Sequence, residues 1–420
     1  MTILRSRWIQ LAAMVLATVA LSNMQYGWTL FVNPMRAENR WQTAGIQYAF
    51  SILIFLNTWL APAEGWAADR WGPRFVVMLG GIASGASWVL NAHAQSLDEL
   101  YVAAAIGGLG MGCVFGTCMG TALKLFPERR GFASGMIAAG LGLGSAFTVH
   151  PISRMIAASG YRHTFFTFGI IQGGAIFLLG AFLARPAFSS KPSPQTAQST
   201  HREYTPSETI RSKVFWLIYA IYLMIACGGM IVTAQLGPIA RDFGVEKLLV
   251  VAVSVDNLAN GFTRPFSGYL SDRIGRENAM LVMFSAEGIG FMGLAAFGRQ
   301  PVAFVIFAAT IFLFWGEIFS LFPAICGDTF GVRNATANNG LLYTAKGTSA
   351  LMVPLANYLV TATGGWTSVL VLMAMSSIAA GILARGVLAP MRKRLFGVSL
   401  SATTQTSAAT APAPLPRPYQ

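Results

Sequence analysis

Charge is scarce in this sequence: Asp, Glu, Lys and Arg together make up 11% of its 420 residues, whereas soluble domains contain about 25%. That scarcity excludes an ordinary soluble globular protein. Cysteine and histidine are also rare, with four of each, and they are scattered without the spacing of a metal site or of a nucleophile and its base. A metal, a cofactor and an enzymatic reaction are therefore not expected. No nucleotide-binding motif occurs either, which argues against an ATP-driven pump.

Apolar residues are what the sequence has in excess: they make up 54% of it, and the mean hydropathy is +0.56. A helix needs about 20 apolar residues to cross the ~30 Å hydrocarbon layer of a membrane. Twelve runs meet that length, so we predict an all-α membrane protein with twelve transmembrane helices. The runs are 8–33, 44–67, 74–92, 98–124, 131–158, 163–184, 214–240, 247–270, 277–297, 301–327, 336–362 and 366–388.

The twelve runs divide into two sets of six. We predict an N-terminal six-helix bundle at 1–184 and a C-terminal six-helix bundle at 214–390. The connecting segment, 185–213, is rich in Pro, Ser, Thr and Gln and is expected to be a flexible cytoplasmic linker that contains a helix capping box at 205–208. The tail, 391–420, is rich in Ala, Thr and Pro and is expected to be disordered and cytoplasmic.

The net charge of +13 invites a nucleic-acid interpretation, but the positions of the basic residues argue against it. Most of the 29 Lys and Arg residues fall in the loops and tails on the side of the two termini. Lys and Arg in short loops mark the cytoplasmic side of a membrane protein. We therefore predict a multi-pass protein of the lipid bilayer, in a bacterial inner membrane, with both termini cytoplasmic and no nucleic-acid partner.

A short polar cassette occurs twice, after the second run of each half. Its copies, GWAADRWGPR at 65–74 and GYLSDRIGR at 268–276, share a turn-forming glycine, an acidic residue and arginines. The acidic residues are expected to face helix N-termini, where a carboxylate is stabilised by ~0.3–1 kcal/mol, with Arg129, Arg130 and Arg333 as pairing partners. This predicts a latch that holds the cytoplasmic side shut; a merely solvated loop is the alternative. The predicted gating residues are Gly65, Asp69, Arg70, Arg74, Gly268, Asp272, Arg273 and Arg276.

The charged residues that we place deep inside the predicted spans all lie in the second half. A charge at the bilayer centre costs ~2.5–3.5 kcal/mol on insertion scales, so each one is a candidate for function. When the two cassettes are aligned, Arg264 falls where the first half has Ala61. Arg264 and Lys346 lie at similar depths, ~12–15 Å from the cassette side, and two cations at one depth favour an anion site. The alternative is that each pairs with an acid and serves folding alone. The charged residues are Asp256, Arg264, Glu287, Glu317 and Lys346.

The six-plus-six layout with a cassette in each half resembles the major facilitator superfamily over nearly the whole chain. NGFTRP at 260–265 and YTAK at 343–346 resemble the oxalate/formate antiporter family and its monocarboxylate-porter relatives, as do QYGWTL in span one and FPERRGFASG after span four. The resemblance implies that Arg264 and Lys346 bind a carboxylate substrate, that aromatic side chains surround it, and that the protein works as a monomer. With these two cations, the predicted substrate-binding residues are Gln25, Tyr26, Trp28, Phe115, Trp315, Phe319, Tyr343 and Asn260.

The aromatic wall differs from that of the antiporter family. Phe115, Leu141 and Phe319 stand where the family has tyrosines, and Tyr343 stands where it has a tryptophan, whereas Trp315 is shared. Because hydroxyl groups and one bulky ring are missing, the wall suits a larger or more apolar carboxylate than oxalate.

The sequence predicts a secondary active transporter of small organic anions, mono- or dicarboxylates, that works by alternating access. Glu317 and Asp256 are the coupling candidates: Glu317 is expected to pair with Lys346, which would allow anion–proton symport, whereas unpaired cations would favour exchange. Glu287 is expected to make a packing contact, and His150 to bond the backbone. Two other hypotheses remain: an efflux transporter of hydrophobic or cationic compounds on the same fold, and a membrane sensor that transports nothing.

Overall fold

The computed structural model describes residues 6–185 and 202–395, and within these ranges the chain is helical and has no strand. Most of the predicted linker, from 186 to 201, and of the predicted tail, from 396 to 420, lies outside the described residues. We call residues 6–185 the first half and residues 202–395 the second half, following the predicted division of the chain.

The helices of the first half follow the predicted spans. One of them is 52 residues long and holds both the fifth and the sixth spans. Its backbone leaves helical geometry at Gly160, where φ is +80°, and this break separates the two spans. Glycine adopts this conformation without the steric penalty of a Cβ atom. The helices are α1 (Arg7–Leu21), α2 (Asn23–Tyr26), α3 (Thr29–Asn39), α4 (Thr43–Trp59), α5 (Ala61–Trp71), α6 (Pro73–His93), α7 (Leu97–Leu125) and α8 (Arg130–Ala181).

The second half begins with a short helix outside the membrane spans and continues with longer ones. Its helices are α9 (Pro206–Arg211), α10 (Lys213–Asp242), α11 (Leu249–Ile274), α12 (Arg276–Phe297), α13 (Pro301–Trp315), α14 (Ile318–Phe330), α15 (Ala335–Ala350), α16 (Val353–Thr363) and α17 (Trp366–Leu383). A 3₁₀ turn, Glu246–Leu248, precedes α11, and a π-helical turn, Ala384–Leu388, follows α17.

The predicted capping box at the start of α9 is present. The Thr205 N–H donates to the Glu208 carboxylate at 2.9 Å, and the Glu208 N–H donates to the Thr205 hydroxyl at 3.4 Å. The Thr205 N–H, the Arg202 guanidinium and the Thr205 hydroxyl together lower the pKa of Glu208 to about 2. The capping box therefore fixes the N-terminus of α9, the first helix of the second half.

Within the described residues, eight helical segments are long and apolar enough to cross a membrane, and the pair α4–α5, bent by 48°, would make a ninth. α8 alone covers two of the predicted spans. α11 is more polar because it carries Arg264 and the cassette charges, and α15 is short, with 16 residues. Each of the twelve predicted spans coincides with a helix, a broken helix or one arm of α8.

The two halves meet along two pairs of helices. α8 of the first half packs along α11 of the second, and α5 packs along α15. α14 also packs on α8, and α15 also packs on α4 and α7. Since Arg264 lies on α11 and Lys346 on α15, each predicted binding cation lies on a helix that touches the other half.

Candidate functional site

Arg264 reaches across the interface between the halves. It precedes Pro265 inside α11, and its side chain is only 1% exposed. Its Nη1 donates a hydrogen bond of 2.6 Å to the carbonyl oxygen of Ala138 on α8. Gly142, one turn further along α8, leaves space for the guanidinium, because a Cβ there would lie 2.9 Å from Nη1. The first half therefore supplies an oxygen and an open space to this cation.

Lys346 lies against the same aromatic ring as Arg264. Its side chain is 2% exposed, and its Nζ donates to the Tyr343 hydroxyl at 3.0 Å. Nζ lies 5.2 Å from the centroid of Phe319, and the Arg264 Cζ lies 4.6 Å from the same centroid. Cation–π contacts reach about 2 kcal/mol when they are desolvated. The structure therefore brings the two predicted cations together around Phe319.

The predicted aromatic residues of the second half line this space, together with one from the first half. The rings of Phe115 and Tyr343 are 5.8 Å apart, and those of Trp315 and Phe319 are 6.0 Å apart, edge to face. All four side chains are buried. Their close contact closes the space around the two cations to solvent.

The residues predicted from span one divide between the site and the core. The Tyr26 hydroxyl lies at the Arg264 guanidinium as a hydrogen-bond partner, and Lys346 is a further positive neighbour. The carbonyl oxygen of the Gln25 side chain is buried without a hydrogen-bond partner among the described residues. Trp28 instead stacks on Phe50, with ring centroids 6.0 Å apart, inside the first half. Its predicted place in the wall therefore stays a prediction.

One residue of the site has no counterpart in the prediction. Tyr222 of α10 is buried, and its ring stacks on Phe322 with centroids 4.2 Å apart. Its hydroxyl has no hydrogen-bond partner in the described part of the chain, and Tyr343 and Arg264 are its electrostatic neighbours. The available signal was a pair of tyrosines, Tyr219 and Tyr222, inside an otherwise apolar run, FWLIYAIYLMIA.

The carboxylates of the two cassettes face helix N-termini, as the sequence predicts. Asp272 accepts hydrogen bonds from the N–H groups of Gly131 and Phe132, at 3.0 and 2.9 Å, in the first turn of α8. Asp69 accepts one from the N–H of Ala337, at 3.0 Å, in the first turn of α15. Each carboxylate thus contacts a helix of the opposite half. The two glycines also lie at this interface, Gly65 against Thr336 and Gly268 against Gly131.

The basic partners of these carboxylates differ from the predicted ones. Asp69 forms an ion pair with Lys124, and Asp272 with Arg276 at 2.6 Å. Arg130 binds Asp328 at 2.5 Å instead of a cassette carboxylate, because Asp328 lies in the last turn of α14, which packs on α8. Arg276 also binds Asp328, at 2.8 Å.

The remaining basic residues predicted for the cassettes lie at the surface. Arg70 and Arg273 each follow the cassette aspartate by one residue, which turns their side chains about 100° away from it on the helix. Arg70 lies over the ring of Trp66, and Arg273 over that of Tyr269, at 5.5 and 4.5 Å. The exposed residues of this group are Arg70, Arg74, Arg129, Arg273 and Arg333. Their predicted part in the latch stays a prediction.

Glu317 does not pair with Lys346. Its side chain is fully buried, and neither carboxyl oxygen has a hydrogen-bond partner among the described residues. Its charged neighbour is Glu287. Glu317 precedes Phe319 by two residues, so the two side chains point about 200° apart around the helix, and Glu317 faces away from the cations. The predicted pairing is therefore wrong in this structure.

The structure says less about the other acidic and polar candidates. Asp256 and Asn260 belong to α11, but their side chains lie outside the described part of the structure, so their predicted roles stay predictions. His150 is exposed on α8. Within residues 6–185 and 202–395, no group of His, Cys, Asp or Glu side chains is arranged to hold a metal ion.

Comparisons with known proteins agree on one family. The sequence profile described as Major Facilitator Superfamily matches residues 13–354 and 236–410. The chain is 32% identical over 397 residues to the oxalate:formate antiporter of Oxalobacter formigenes, with 93% of each chain covered. It is 23% identical over 395 residues to monocarboxylate transporter 12 of Rattus norvegicus, covering 83% of this chain and 77% of that one. A solved fucose:proton symporter of E. coli has the same fold, with a TM-score of 0.69 at 14% identity over 91% of this chain and 99% of the symporter.

Proposed function

Because the chain belongs to the major facilitator superfamily, we propose that it is a secondary active transporter of small organic anions that works by alternating access. Membership makes it a multi-pass integral membrane transporter of a small molecule rather than an enzyme. The class of substrate is our proposal. It is supported by relatives that are named for oxalate, formate and monocarboxylates.

The observation that carries the proposal is the meeting of Arg264 and Lys346 on the ring of Phe319 in a space closed to solvent. Two positive charges in a dry space repel each other, because low dielectric strengthens their interaction. An anion between the two cations would attract both of them and so offset their repulsion. A site built in this way favours a carboxylate over a neutral or cationic compound.

Each polar group would have a separate role toward a carboxylate. The planar guanidinium of Arg264 offers two parallel donors to one carboxylate, and the Lys346 ammonium offers a mobile point charge to a second. The hydroxyls of Tyr26 and Tyr343 already contact these cations, so they would orient the substrate. Tyr222 would add a third hydroxyl. Gln25 and Asn260 remain candidates for further hydrogen bonds.

The wall favours a larger or more apolar carboxylate than oxalate. Phe115, Phe319 and Leu141 would present apolar surface: all three are buried, Phe319 contacts both cations, and Phe115 contacts Tyr343. An anion bound between the two cations would make closing of the carrier easier, because a ligand shifts such an equilibrium by its differential affinity for the two states. The carrier would then work either by exchange of one anion for another or by symport with a proton.

The cassette contacts would act as the gate. Asp69 and Asp272, with their main-chain donors on α15 and α8, hold the two halves together at one end of the molecule. The excess of Lys and Arg on that side supports a cytoplasmic location for it. The bacterial relative supports a bacterial inner membrane. We propose a monomer that opens at this end when these contacts break.

The test begins with a thermal-shift screen of the purified protein against monocarboxylates, dicarboxylates and lipophilic cations. Stabilisation grows as RT ln(1 + [L]/Kd), about 2.7 kcal/mol at 100 times Kd, so it ranks ligands whatever the transport mode. Counterflow of the best carboxylate is then measured in proteoliposomes. Stabilisation and counterflow with a carboxylate are the expected results. Trapping of a lipophilic cation instead would favour efflux of cationic compounds, and binding without movement would favour a sensor.

A further inference from the structure

Asn57 is a buried amide at the end of a helix of the first half. It lies in the last turn of α4, just before the bend of 48° between α4 and α5. Its side chain is 0% exposed, yet neither Nδ2 nor Oδ1 makes a hydrogen bond of normal geometry with a described residue. Thr58 beside it is equally buried, but its hydroxyl donates to the carbonyl oxygens of Ile54 and Phe55, at 3.0 Å each. Buried polar groups are nearly always hydrogen-bonded, so Asn57 is an exception that requires a physical reason.

The exception does not depend on how the amide of Asn57 is oriented. The oxygen and nitrogen of an Asn side chain are assigned from their hydrogen bonds, and here both atoms lack a partner among the described residues. Asn57 therefore holds a donor and an acceptor ready at one place. A leucine has a similar shape and would leave no polar atom without a partner. Asn57 thus costs folding free energy that packing alone does not require.

The end of α4 lies against the helix that carries Lys346. A Cβ at Gly347 would collide with the Thr58 hydroxyl, so α15 passes very close to the last turn of α4. The Asn57 side chain lies next to the Tyr343 hydroxyl, and this hydroxyl accepts a hydrogen bond of 3.0 Å from the Lys346 ammonium. Asn57 is therefore separated from the ammonium by one hydroxyl group, and it reaches this place from the opposite half.

The internal repeat places an Asn at the equivalent position of the second half. The alignment that puts Arg264 at the position of Ala61 also puts Asn260 at the position of Asn57. The two segments are NTWLAP at 57–62 and NGFTRP at 260–265. Asn260 is one of the residues predicted to bind the substrate, so the repeat points to the same position in the first half.

A first-half group beside Lys346 would couple substrate binding to closing. A ligand favours closing by the contacts that it gains on closing. Both cations belong to the second half, so contacts with them do not require the halves to meet. At the Arg264 end of the site, the first half supplies the hydroxyl of Tyr26. At the Lys346 end, Asn57 supplies an amide that has no hydrogen-bond partner in the described part of the chain.

We propose that Asn57 is a substrate-binding residue whose Nδ2 donates to the carboxylate that Lys346 binds. When the ammonium turns to the substrate, the Tyr343 hydroxyl donates to the Asn57 Oδ1, so both atoms of the amide are satisfied. This deepens the proposed carboxylate transport and rests on it. The second half contributes the charges of the site, and the first half contributes a neutral donor at each end.

The test compares two variants of the full-length protein that each remove a buried amide, Asn57→Leu and Asn91→Leu. Asn91 of α6 is the matched control: it is 2% exposed, its Oδ1 also has no partner among the described residues, and α6 packs on α7 and α8 of its own half. The ligands are straight-chain dicarboxylates from oxalate to glutarate and monocarboxylates of equal length. Thermal unfolding without ligand and over a ligand titration gives the stability of the empty protein and the Kd separately.

For Asn57→Leu, we expect the unfolding temperature without ligand to stay the same or to rise, because a buried amide without a partner is removed. The Kd of the tightest-binding dicarboxylate should rise about tenfold, because the carboxylate loses a hydrogen bond. Asn91→Leu should leave this Kd unchanged. A lower unfolding temperature with an unchanged Kd in Asn57→Leu would show a structural role and overturn the assignment, as would an equal rise of Kd in Asn91→Leu.

A double variant locates the effect at one end of the site. When Lys346 is already replaced by Gln, the further change Asn57→Leu should raise the Kd about twofold or less, because residues that bind one group are not additive. A further tenfold rise contradicts a contact with the carboxylate at Lys346. If Asn57→Leu fails to fold, Asn57→Ala is measured in the same way. Wild-type protein that no carboxylate stabilises defeats the proposed function, whereas wild-type binding that Asn57→Leu and Asn57→Ala leave unchanged defeats the assignment of Asn57 alone.

Discussion

The two halves of the molecule make the same contacts with each other but carry different charges. Asp69 of the first half accepts a hydrogen bond from Ala337, and Asp272 of the second half accepts one from Phe132. In both cases the acceptor is a cassette aspartate and the donor belongs to the first turn of a helix in the opposite half. The latch is therefore repeated around an approximate twofold axis.

The backbone contacts between the halves are also repeated further into the membrane, but there the side chains of the two halves differ. A Cβ at Gly340 would collide with the carbonyl oxygen of Ala61, and a Cβ at Gly135 would collide with that of Arg264. The two backbones thus approach the opposite half in the same way, but one position carries a methyl group and the other a guanidinium. Under the proposed function, the duplicated helices would provide the moving frame, whereas one half alone would provide the binding charge. Lys346 belongs to that same half.

Replacing Arg264 by alanine makes the two halves alike at this position. Of the changes considered, we expect it to weaken carboxylate binding the most. Charged hydrogen bonds contribute about 1.5–3 kcal/mol, so the Kd for a carboxylate should rise roughly 10- to 100-fold. Arg264→Lys is the control, since it keeps the charge and loses the planar fork. Thermal-shift titration and counterflow are the measurements. Carboxylate flux that stays at the wild-type level in Arg264→Ala would show that the asymmetry has no part in binding.

Lys346→Gln sharpens the comparison by removing the second charge while leaving the first. We expect the preference for dicarboxylates over monocarboxylates to fall by about tenfold, because the second carboxylate loses a charge-assisted bond of about 1.5 kcal/mol. Affinity for monocarboxylates should change much less, since Arg264 still binds them. The measurement is the ratio of Kd values for two acids of equal chain length. An unchanged ratio would contradict a two-cation site.

The two cassette aspartates accept different numbers of hydrogen bonds, so their replacement should destabilise the protein to different extents. This effect is expected to be smaller than those of the binding cations. Asp272 accepts two main-chain N–H groups and pairs with Arg276, whereas Asp69 accepts one N–H and pairs with Lys124. We expect Asp272→Asn to destabilise the protein by about 1–3 kcal/mol more than Asp69→Asn, because one more bond to a charged group is weakened. Thermal unfolding in detergent measures the difference. Equal losses would mean that the main-chain donors contribute little.

The sequence predicts the repeated parts of this molecule well. The apolar runs are long enough to fix the spans, and the cassettes are specific enough to predict carboxylates at helix N-termini. Arg264 and Lys346 could be expected to meet, because they lie at similar depths and the resemblance brings their spans to one cavity. The family confirms the twelve-helix architecture.

The errors have a common physical origin in side-chain direction. The depth of Glu317 could be counted along the chain, but its angle around the helix places it behind Phe319 and away from Lys346. Arg130 has two possible acidic partners, and only the packing of α14 on α8 selects Asp328. Direction and choice of partner depend on tertiary packing, which spacing alone does not contain.

The smallest expected effect comes from Phe319→Tyr, which changes the ring that both cations share. Phenylalanine and tyrosine offer similar faces to a cation, so stability should change little. The added hydroxyl can bond a small, polar dianion, and a net contribution of about 0.5–1.5 kcal/mol corresponds to roughly 2- to 10-fold tighter binding. Phe322→Tyr is the matched control: Phe322 is fully buried against Tyr222, so a hydroxyl there would be desolvated without reaching the substrate. A shift toward oxalate in Phe319→Tyr alone, measured as the ratio of Kd values for oxalate and a longer dicarboxylate, would show that the half with the cations also sets substrate size. An identical shift in both variants would mean that the ring on the cations has no special part in selecting the anion.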